Sequence, residues 1–297
     1  MMKTPANDEV KAVELLNLML DEKYVGSQFN DGKDYMIKSG VVFEGTQKEY
    51  KGRYKLIGKK IFGNIEENLP QQIIDYIYYN YDTDKLKTIN IMGDGASRIK
   101  AFATDGTLKF HPDIQIKYGL DKFHMTQALM SMSTKKYKDS YYAIMKNYVI
   151  TNKKEEFINV VESLIYKEPK REEAIKEKMN YILNNWEHIQ TSYHDIKYKC
   201  SMESNISHAL ADLFTARPRA YSKKGLELLL NIRLLKINGY DLKKIYFESL
   251  KKEIKFLSDQ EIITRNISKS KYAKYTDYFN HSLTDSNFSL IINDMSF

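Results

Sequence analysis

The sequence has little cysteine and no long apolar run, and these absences exclude several classes of protein. Its 297 residues include one cysteine, Cys200, so no internal disulfide can form, and this cysteine and the six histidines show no structural-zinc spacing. No apolar stretch approaches the roughly 18 residues of a membrane span, and acidic residues interrupt the amino-terminal segment where a signal peptide would lie. We therefore expect a soluble, intracellular protein without redox or structural-zinc chemistry.

The charge is biased toward the basic side. Lysine and arginine number 46 against 39 aspartate and glutamate residues, which gives a net charge of +7. Because lysine and arginine near phosphates release condensed counterions, this excess favours a polyanionic partner such as nucleic acid. With 42% hydrophobic side chains, the chain can also bury a substantial core, as one large domain or two smaller ones.

The first half of the chain is predicted to be mostly β-strand. Residues 35–44 and 54–62 are short and β-rich, and the polar segment 46–53 between them predicts a turn that joins an antiparallel pair. Residues 15–25 fit a strand, but the spacing of their apolar side chains also fits a helix. Only the wider order of elements favours the strand.

The next segments predict crossover units of an α/β sheet. Residues 69–81 repeat apolar side chains at helical spacing, and the buried strand 88–92 ends abruptly in the turn Gly93-Asp94-Gly95-Ala96. A further strand is expected at 114–120. This order predicts a mixed sheet, with an antiparallel meander followed by parallel crossovers.

From about Met125 the sequence reads as helix. Helices are predicted at 137–150, 153–167, 170–186, 205–214 and 222–237, with more helix to the end. We therefore expect an α/β core in two parts, 1–124 and 197–236, interrupted by a helical insertion at 125–196. A helical region at 237–297 would follow.

Two aspartates stand where such a sheet can deliver them to one crevice. Asp21 lies in the first strand and Asp94 follows the strand after the first crossover helix, and these strands can lie side by side. A third carboxylate from a later helix would complete a cup suited to two magnesium ions. Alone, each acid also has an ordinary interpretation, Asp94 as a turn residue or helix cap and Asp21 as an exposed carboxylate.

Several spaced motifs carry a resemblance to a known family. They are VVFEG at 41–45, GDGASRIK at 93–100, LDKFHM at 120–125, KCSMESNISHALADLFTARPRAYS at 199–222 and INGYDL at 237–242. From about Leu18 to about Lys244 the chain resembles the ISLre-type insertion-sequence transposases, DDE-type relatives of the Mutator-like group. The resemblance implies a ribonuclease-H-like fold and DNA transposition: strand cleavage by water, then strand transfer by a DNA 3′ hydroxyl.

The resemblance also implies a site. Asp21, Asp94 and Glu203 match the three acidic motifs and would be the catalytic residues that hold two magnesium or manganese ions, with Glu22 as the alternative first ligand. The implied partners are the transposon ends and target DNA, bound by a homodimer or higher multimer in the nucleoid-associated cytoplasm. No membrane partner is expected.

Other residues are weaker candidates at this site. Asp121, His124 and His208 are possible supporting residues, although a histidine satisfied by a neighbouring carboxylate fits equally well, and Cys200 and His208 fit packing better than metal binding. For Trp186 core packing is a better interpretation than stacking on bases. The candidate DNA contacts are basic: Arg98, Lys100, Arg217, Arg219, Lys223 and Lys224.

Departures from the family keep other functions open. The sequence has Ser97-Arg98 where the family has tryptophan and Ser204 where it has glycine, and the residues before Asp21 leave no room for the end-recognition region expected at the amino terminus of the family. A truncated or domesticated descendant that binds DNA without cutting it is one alternative, and a structure-specific nuclease is another. A nucleotide-binding Rossmann enzyme is disfavoured, because GDGA lacks the glycine spacing of phosphate cradles.

Overall fold

The computed structural model describes residues 10–28, 33–50, 53–65, 68–104, 113–133, 138–196, 198, 214 and 220–259. The chain divides into two compact units, 1–240 and 241–297. In the second unit the described element is a helix, α9 (Leu242–Asp259), whose first turn is capped by Asp241. No helix in the described part of the chain is long and apolar enough to cross a membrane.

The first unit contains a mixed five-stranded sheet and a separate two-stranded ribbon. The sheet has the order β5-β2-β1-β6-β7, with β1, β2 and β5 antiparallel and β1, β6 and β7 parallel. This arrangement confirms the predicted meander followed by parallel crossovers. The strands are β1 (Leu15–Val25), β2 (Tyr35–Phe43), β3 (Gly45–Tyr50), β4 (Arg53–Ile57), β5 (Lys60–Asn64), β6 (Thr88–Gly93) and β7 (Gln115–Leu120).

The strand interpretation of residues 15–25 is correct. Strand β1 is the central strand and is covered on both faces, so its sequence is a nearly continuous apolar run rather than an alternating one. Leu18 and Leu20 are buried on one face in a hydrophobic cluster with Ile73, whereas Met19 is buried in a second hydrophobic cluster on the other face. Burial on both sides explains why local periodicity did not distinguish strand from helix.

The predicted turn at 46–53 is wrong, and the predicted strand at 54–62 is two strands rather than one. Strands β3 and β4 pair as an antiparallel ribbon, and a turn at Gly58, with φ of +61°, separates β4 from β5. Strand β5 then pairs with β2 in the main sheet. Gln47 and Lys48 of β3 are both exposed. The sequence of this strand therefore shows no alternation of apolar and polar residues.

Two crossover helices connect the parallel strands on one face. Helix α1 (Leu69–Asn80) begins with Pro70 in its first turn and buries Ile73 and Ile77 against β1 and β6, as its spacing predicted. Gly40 of β2 allows close packing, because a Cβ there would lie 2.9 Å from Ile73 Cδ1. Helix α2 (Ser97–Thr104) follows β6.

A group of helices follows β7 and has its own hydrophobic core. They are α3 (Lys122–Met132), α4 (Lys138–Ile150), α5 (Lys154–Lys167), a 3-10 turn (Pro169–Arg171), α6 (Glu172–Asn184), α7 (Trp186–Gln190) and a π-helical turn (Thr191–Asp195). Trp186 is buried there and donates from Nε1 to Asn152 Oδ1 at 2.7 Å. We call the helices of residues 122–195 the insertion. Its burial of Trp186 confirms the core-packing interpretation of that residue.

Helix α8 (Lys223–Ile237) covers the second face of the sheet. Ser222 caps it by accepting from Gly225 N, and Leu226 and Leu230 are buried with Met19. At its carboxyl end, the Asn238 side chain accepts from the Ile61 backbone N–H at 2.8 Å and donates to the Ile61 carbonyl at 2.7 Å. Asn238 therefore satisfies backbone groups of edge strand β5 as another strand would.

Candidate active site at the ends of the parallel strands

The register of β1 and β6 brings Asp21 and Asp94 to the same place on the sheet. Asn17 pairs with Asn90 and Met19 pairs with Met92 in this parallel ladder. Asp21 follows Met19 by two residues, and Asp94 follows Met92 by two residues. Because side chains alternate between faces, both aspartates lie on the face of Met19, on strands about 4.8 Å apart.

A third aspartate extends this row onto β7. Met92 pairs with Gly119, so Asp121 occupies the corresponding next step after β7. The Asp121 backbone N–H donates to the Gly93 carbonyl at 2.7 Å, which continues the ladder by one bond beyond the strand. Asp21 within β1, Asp94 directly after β6 and Asp121 directly after β7 therefore form a row of aspartates across three neighbouring parallel strands.

Asp21 sits in surroundings that disfavour its charge. Burial, and to a smaller extent the nearby negative charge of Asp94, raise the pKa of Asp21 from 3.8 to about 6. The Glu22 backbone N–H, which donates to Asp21 Oδ1 at 2.9 Å, and the positive charges of His124 and Lys23 act in the opposite direction. A second negative charge is thus close to a carboxylate that already lacks full solvation.

Asp94 is held by a turn in which each polar group has a specific contact. Its Oδ1 accepts from the Ala96 backbone N–H at 2.8 Å, and its carbonyl accepts from the Tyr181 hydroxyl at 2.5 Å. Gly95 adopts φ of +88°, a conformation that favours glycine. The strand therefore ends in a turn whose shape is fixed by residues of both the sheet and the insertion.

Asp121 is the cap of α3 and not part of that helix. Its side chain accepts from the Phe123 backbone N–H at 3.0 Å and is 4% exposed. The helix begins at Lys122, whereas the sequence spacing required it to begin at Asp121 to place Asp121 and His124 on one helical face. His124 instead lies in the first turn of α3, close enough to Asp21 to stabilise its charged form.

Two tyrosines surround the Asp94 turn. The pKa of Tyr118, on β7, and that of Tyr181, on α6, are both raised, first by burial and then by the negative charge of Asp94. Asp121 also raises the pKa of Tyr181. Both phenols therefore stay neutral and available as hydroxyl groups beside the row of aspartates.

Of the other predicted acidic and metal-binding residues, Glu22 faces away from Asp21, and several lie outside the described residues. Glu22 is next to Asp21 on an extended strand, so its side chain belongs to the opposite face, that of Leu20. Within the described part of the chain, no three His, Cys, Asp or Glu side chains are grouped as they would be around a metal ion. Glu203, Cys200 and His208 lie outside the described residues.

The basic candidates are only partly described. Lys100 of α2 donates to the Asn184 carbonyl at 3.3 Å, and Lys223 of α8 lies 4.0 Å from Glu227. Lys224 is exposed, and Arg98 belongs to α2, whereas Arg217 and Arg219 lie outside the described residues. Among the six basic candidates, the contacts described are therefore those of Lys100 and Lys223.

The approach to α8 passes the carboxyl end of β1. The Tyr221 backbone N–H donates to the Gly26 carbonyl at 2.9 Å, and the Gln28 N–H donates to the Tyr221 carbonyl at 3.0 Å. Lys223 and Lys224 follow within three residues. The amino-terminal end of α8 therefore begins at the same end of β1 as Asp21.

Sequence reasoning missed three residues of this site. Asn17 and Asn90 are a buried, hydrogen-bonded pair, and their only sequence signal is an asparagine inside each apolar run. Tyr181 is 87 residues from Asp94, and nothing in either local pattern predicts their contact.

Comparison with known proteins places the chain in a family. The model of an uncharacterised protein family, UPF0236, matches residues 3–251. The chain belongs to UPF0236. This match includes the whole sheet, the insertion and α8.

Several UPF0236 proteins of Caldanaerobacter subterraneus subsp. tengcongensis are similar to the chain. One is 32% identical over 245 residues, which cover 80% of this chain and 50% of the relative. A second is 32% identical over 245 residues and covered to 47%, and a third is 31% identical over 243 residues and covered to 50%. The chain thus spans about half the length of these relatives. The name of the third joins eleven designations from this one bacterium.

Proposed function

We propose that this UPF0236 chain is the catalytic region of a metal-dependent DNA transposase, with Asp21, Asp94 and Glu203 as its metal-binding carboxylates. The observation that carries the proposal is the shared position of Asp21 and Asp94, one step beyond paired residues of adjacent parallel strands. Two carboxylates on one face of a sheet, on adjacent parallel strands, are suited to hard divalent cations. The motif resemblance supplies the reaction class.

The sheet supports the finer fold assignment. A ribonuclease-H-like core has an antiparallel meander followed by parallel crossover strands, and the order β5-β2-β1-β6-β7 has this form. The central strand β1 and its parallel neighbour β6 then carry the first two acidic residues. Helices α3 to α7 form a separate core between β7 and α8, as an insertion into such a fold would.

Two described residues on either side of Glu203 in the sequence lie on the face of the sheet that Asp21 shares. Tyr198 packs edge-on against Phe43 with ring centroids 5.0 Å apart, and Phe214 is buried with Met19 and packs against Tyr221. Both residues belong to the cluster on the face of the sheet that Asp21 shares. Glu203 itself lies outside the described residues, and its role as the third carboxylate comes from the motif resemblance.

The electrostatics of the described carboxylates fit a divalent cation. Burial and the proximity of Asp94 destabilise the charge of Asp21, and a cation between the two would relieve both effects. Asp21 fits this role better than Glu22, whose side chain belongs to the opposite face. Bound magnesium ions would supply the Lewis acidity that activates the attacking hydroxyl and stabilises the leaving oxygen.

Other residues of the protein would position these carboxylates. The Asn17–Asn90 hydrogen bond fixes the register that aligns Asp21 with Asp94, and the Ala96 N–H orients the Asp94 carboxylate. Asp121 caps α3 and so sets the position of His124 beside Asp21. DNA would reach this end of the sheet past the basic amino-terminal end of α8, at Lys223 and Lys224.

The distribution of relatives also supports mobile DNA. One relative's name joins eleven designations from one bacterium, and others join four and two. Repeated copies of one protein in a single genome are expected when its gene moves and duplicates. DNA ends, target DNA and a second copy of the chain are the partners this function would require, and the nucleoid would be its location.

A strand-transfer assay tests the proposal. Purified protein would be incubated with end-labelled DNA that carries its own gene and genomic flanks, a supercoiled target plasmid and Mg²⁺ or Mn²⁺. We expect metal-dependent nicks in the flanks and joined products, both lost with EDTA and in Asp94→Asn and Glu203→Gln. Asp75→Asn, on the exposed side of α1 and bonded only to Gln71 among the contacts described, is the matched control.

The two alternative functions are other outcomes of the same assay. DNA binding without any metal-dependent cutting would identify a descendant that has lost catalysis. Metal-dependent hydrolysis of branched DNA without joined products would identify a structure-specific nuclease. Either result would overturn the transposase proposal.

A further inference from the structure

Helix α6 of the insertion contacts the turn that carries Asp94. The Tyr181 hydroxyl donates to the Asp94 carbonyl at 2.5 Å. One turn later along the chain, Asn185 lies against Gly95, because a Cβ at Gly95 would be 2.8 Å from Asn185 Oδ1. Tyr181 therefore binds the backbone of this turn, and Asn185 packs against the glycine that gives the turn its conformation.

The hydrogen bond from Tyr181 lies where the sheet no longer provides partners. The ladder between β6 and β7 ends at Gly93 and Leu120, and the Asp121 N–H uses the Gly93 carbonyl. Asp94 is the first residue after β6, and its carbonyl accepts from a side chain rather than from a strand. Asp94 is partly buried, where a carbonyl without a partner is costly, so the Tyr181 hydroxyl stabilises this one orientation of Asp94.

Tyr181 is itself held firmly. It belongs to α6, whose Ile175 and Ile182 are fully buried in the insertion core. The Asn185 side chain is 3% exposed and donates from Nδ2 to the Tyr181 carbonyl at 2.8 Å. The position of the hydroxyl is therefore set by packing of the insertion, not by a mobile side chain.

We propose that Tyr181 is a positioning residue for Asp94, so that the insertion is a structural part of the metal site and not only a separate module. This inference rests on the proposed function, since it assumes that Asp94 binds a divalent cation. Residues that orient metal ligands without touching the metal commonly change its affinity by about 10-fold to 100-fold.

Manganese binding to the full chain tests this role without any DNA reaction. We expect Tyr181→Phe to weaken the Mn²⁺ affinity measured by titration calorimetry by about 10-fold, because the Asp94 turn loses its only side-chain donor to that carbonyl among the contacts described. Tyr141→Phe is the matched control in the same insertion, since Tyr141 contacts Ser163 Oγ at 3.2 Å and does not approach the row of aspartates. Its Mn²⁺ affinity should equal that of the wild type.

Hydrogen exchange of the wild-type protein gives a second readout that does not use the Tyr181→Phe variant. If α6 positions Asp94, Mn²⁺ should slow amide exchange in residues 178–185, and this protection should be absent in Asp94→Asn, because coupling between two sites is reciprocal. Protection confined to the strand ends would overturn the inference.

The outcomes separate the inference from the function on which it rests. Wild-type protein that binds Mn²⁺ through Asp94, with unchanged affinity in Tyr181→Phe, would overturn the positioning role alone, even if that variant melts at a lower temperature. Wild-type protein that binds no Mn²⁺ would overturn the proposed function, and the inference with it.

Discussion

Asn90 of β6 donates a side-chain hydrogen bond to Asn17 of β1 at 3.0 Å, and both side chains are almost fully buried. Each asparagine precedes its aspartate by four residues, Asn17 before Asp21 and Asn90 before Asp94. A slip of one residue between these strands would move one aspartate to the other face. This polar contact in an apolar sheet therefore favours the one register that brings the two carboxylates together.

Removing one member of this pair should cost more than removing both. Asn17→Leu or Asn90→Leu alone leaves a buried amide without its partner, which we expect to lower the free energy of unfolding by about 1–3 kcal/mol. The double variant replaces both polar groups, so its loss should be smaller than the sum of the single losses. Urea unfolding of the four proteins measures this coupling, and strictly additive losses would show that the contact does not stabilise the register.

The raised pKa of Asp21 predicts that this residue destabilises the metal-free protein at neutral pH. The folded state holds the proton more tightly, with a pKa of about 6 against 3.8, so the free energy of unfolding falls as pH rises from about 4 to about 6. Asp21→Asn removes that charge and should be more stable than the wild type by about 1–3 kcal/mol at pH 7.5, after allowance for partial solvation. Below about pH 4 the difference should vanish.

Urea unfolding in EDTA at the two pH values checks this prediction. Saturating Mn²⁺ provides the control at pH 7.5, because a ligand that binds only the folded state stabilises it. The wild type should then gain stability and Asp21→Asn should gain much less. An advantage of Asp21→Asn that is the same at pH 4 and pH 7.5 would show that burial does not shift the Asp21 titration.

The Asp94 turn should tolerate no side chain at Gly95. An alanine would be strained at φ of +88° and its Cβ would lie 2.8 Å from Asn185 Oδ1 and 2.9 Å from Leu120 Cδ1. We expect Gly95→Ala to lower the free energy of unfolding by about 2–5 kcal/mol, as backbone strain and overpacking add.

Gly239→Ala separates these two contributions. Gly239 has a similar φ of +79°, but a Cβ there meets no atom within 4 Å. Its loss should be that of backbone strain alone, about 1–2 kcal/mol. Equal losses at Gly95 and Gly239 in thermal unfolding would contradict the close contact between the Asp94 turn and Asn185.

Asp121 should act as a helix cap rather than as a metal ligand. Asparagine caps helices as well as aspartate does, so Asp121→Asn should retain both stability and Mn²⁺ affinity, whereas Asp121→Ala should lose about 1 kcal/mol of stability. Asp94→Asn should instead lose Mn²⁺ binding. Calorimetric titration of these variants decides the role, and a loss of Mn²⁺ affinity in Asp121→Asn equal to that in Asp94→Asn would make Asp121 a ligand.

Strong local patterns allowed accurate prediction of several elements. Helix α1 and strand β6 are bounded by clear signals, a proline in the first helical turn and a Gly-Asp-Gly turn after the strand. Strand β3 was missed because its residues are mostly polar and exposed, so they show no apolar period. Strand β1 was ambiguous because it is buried on both faces.

The candidate site was predictable only where it depends on strand ends. Asp94 follows an abrupt end to an apolar run, and such ends deliver side chains to the edge of a parallel sheet. The choice of Asp21 over Glu22 depends on strand register, and the contact of Tyr181 with Asp94 depends on packing of the whole insertion. Neither register nor packing leaves a local trace in the sequence.

The central claim is that Asp21, Asp94 and Glu203 together bind divalent metal. Crystals of the protein soaked in Mn²⁺, with diffraction measured near the manganese absorption edge, test it most directly. We predict anomalous density in contact with all three carboxylates, at coordination distances of about 2.0–2.6 Å. Carboxylates of Asp21 and Asp94 more than about 8 Å apart, with no manganese between them, would contradict the claim and leave a protein without the metal site of a transposase.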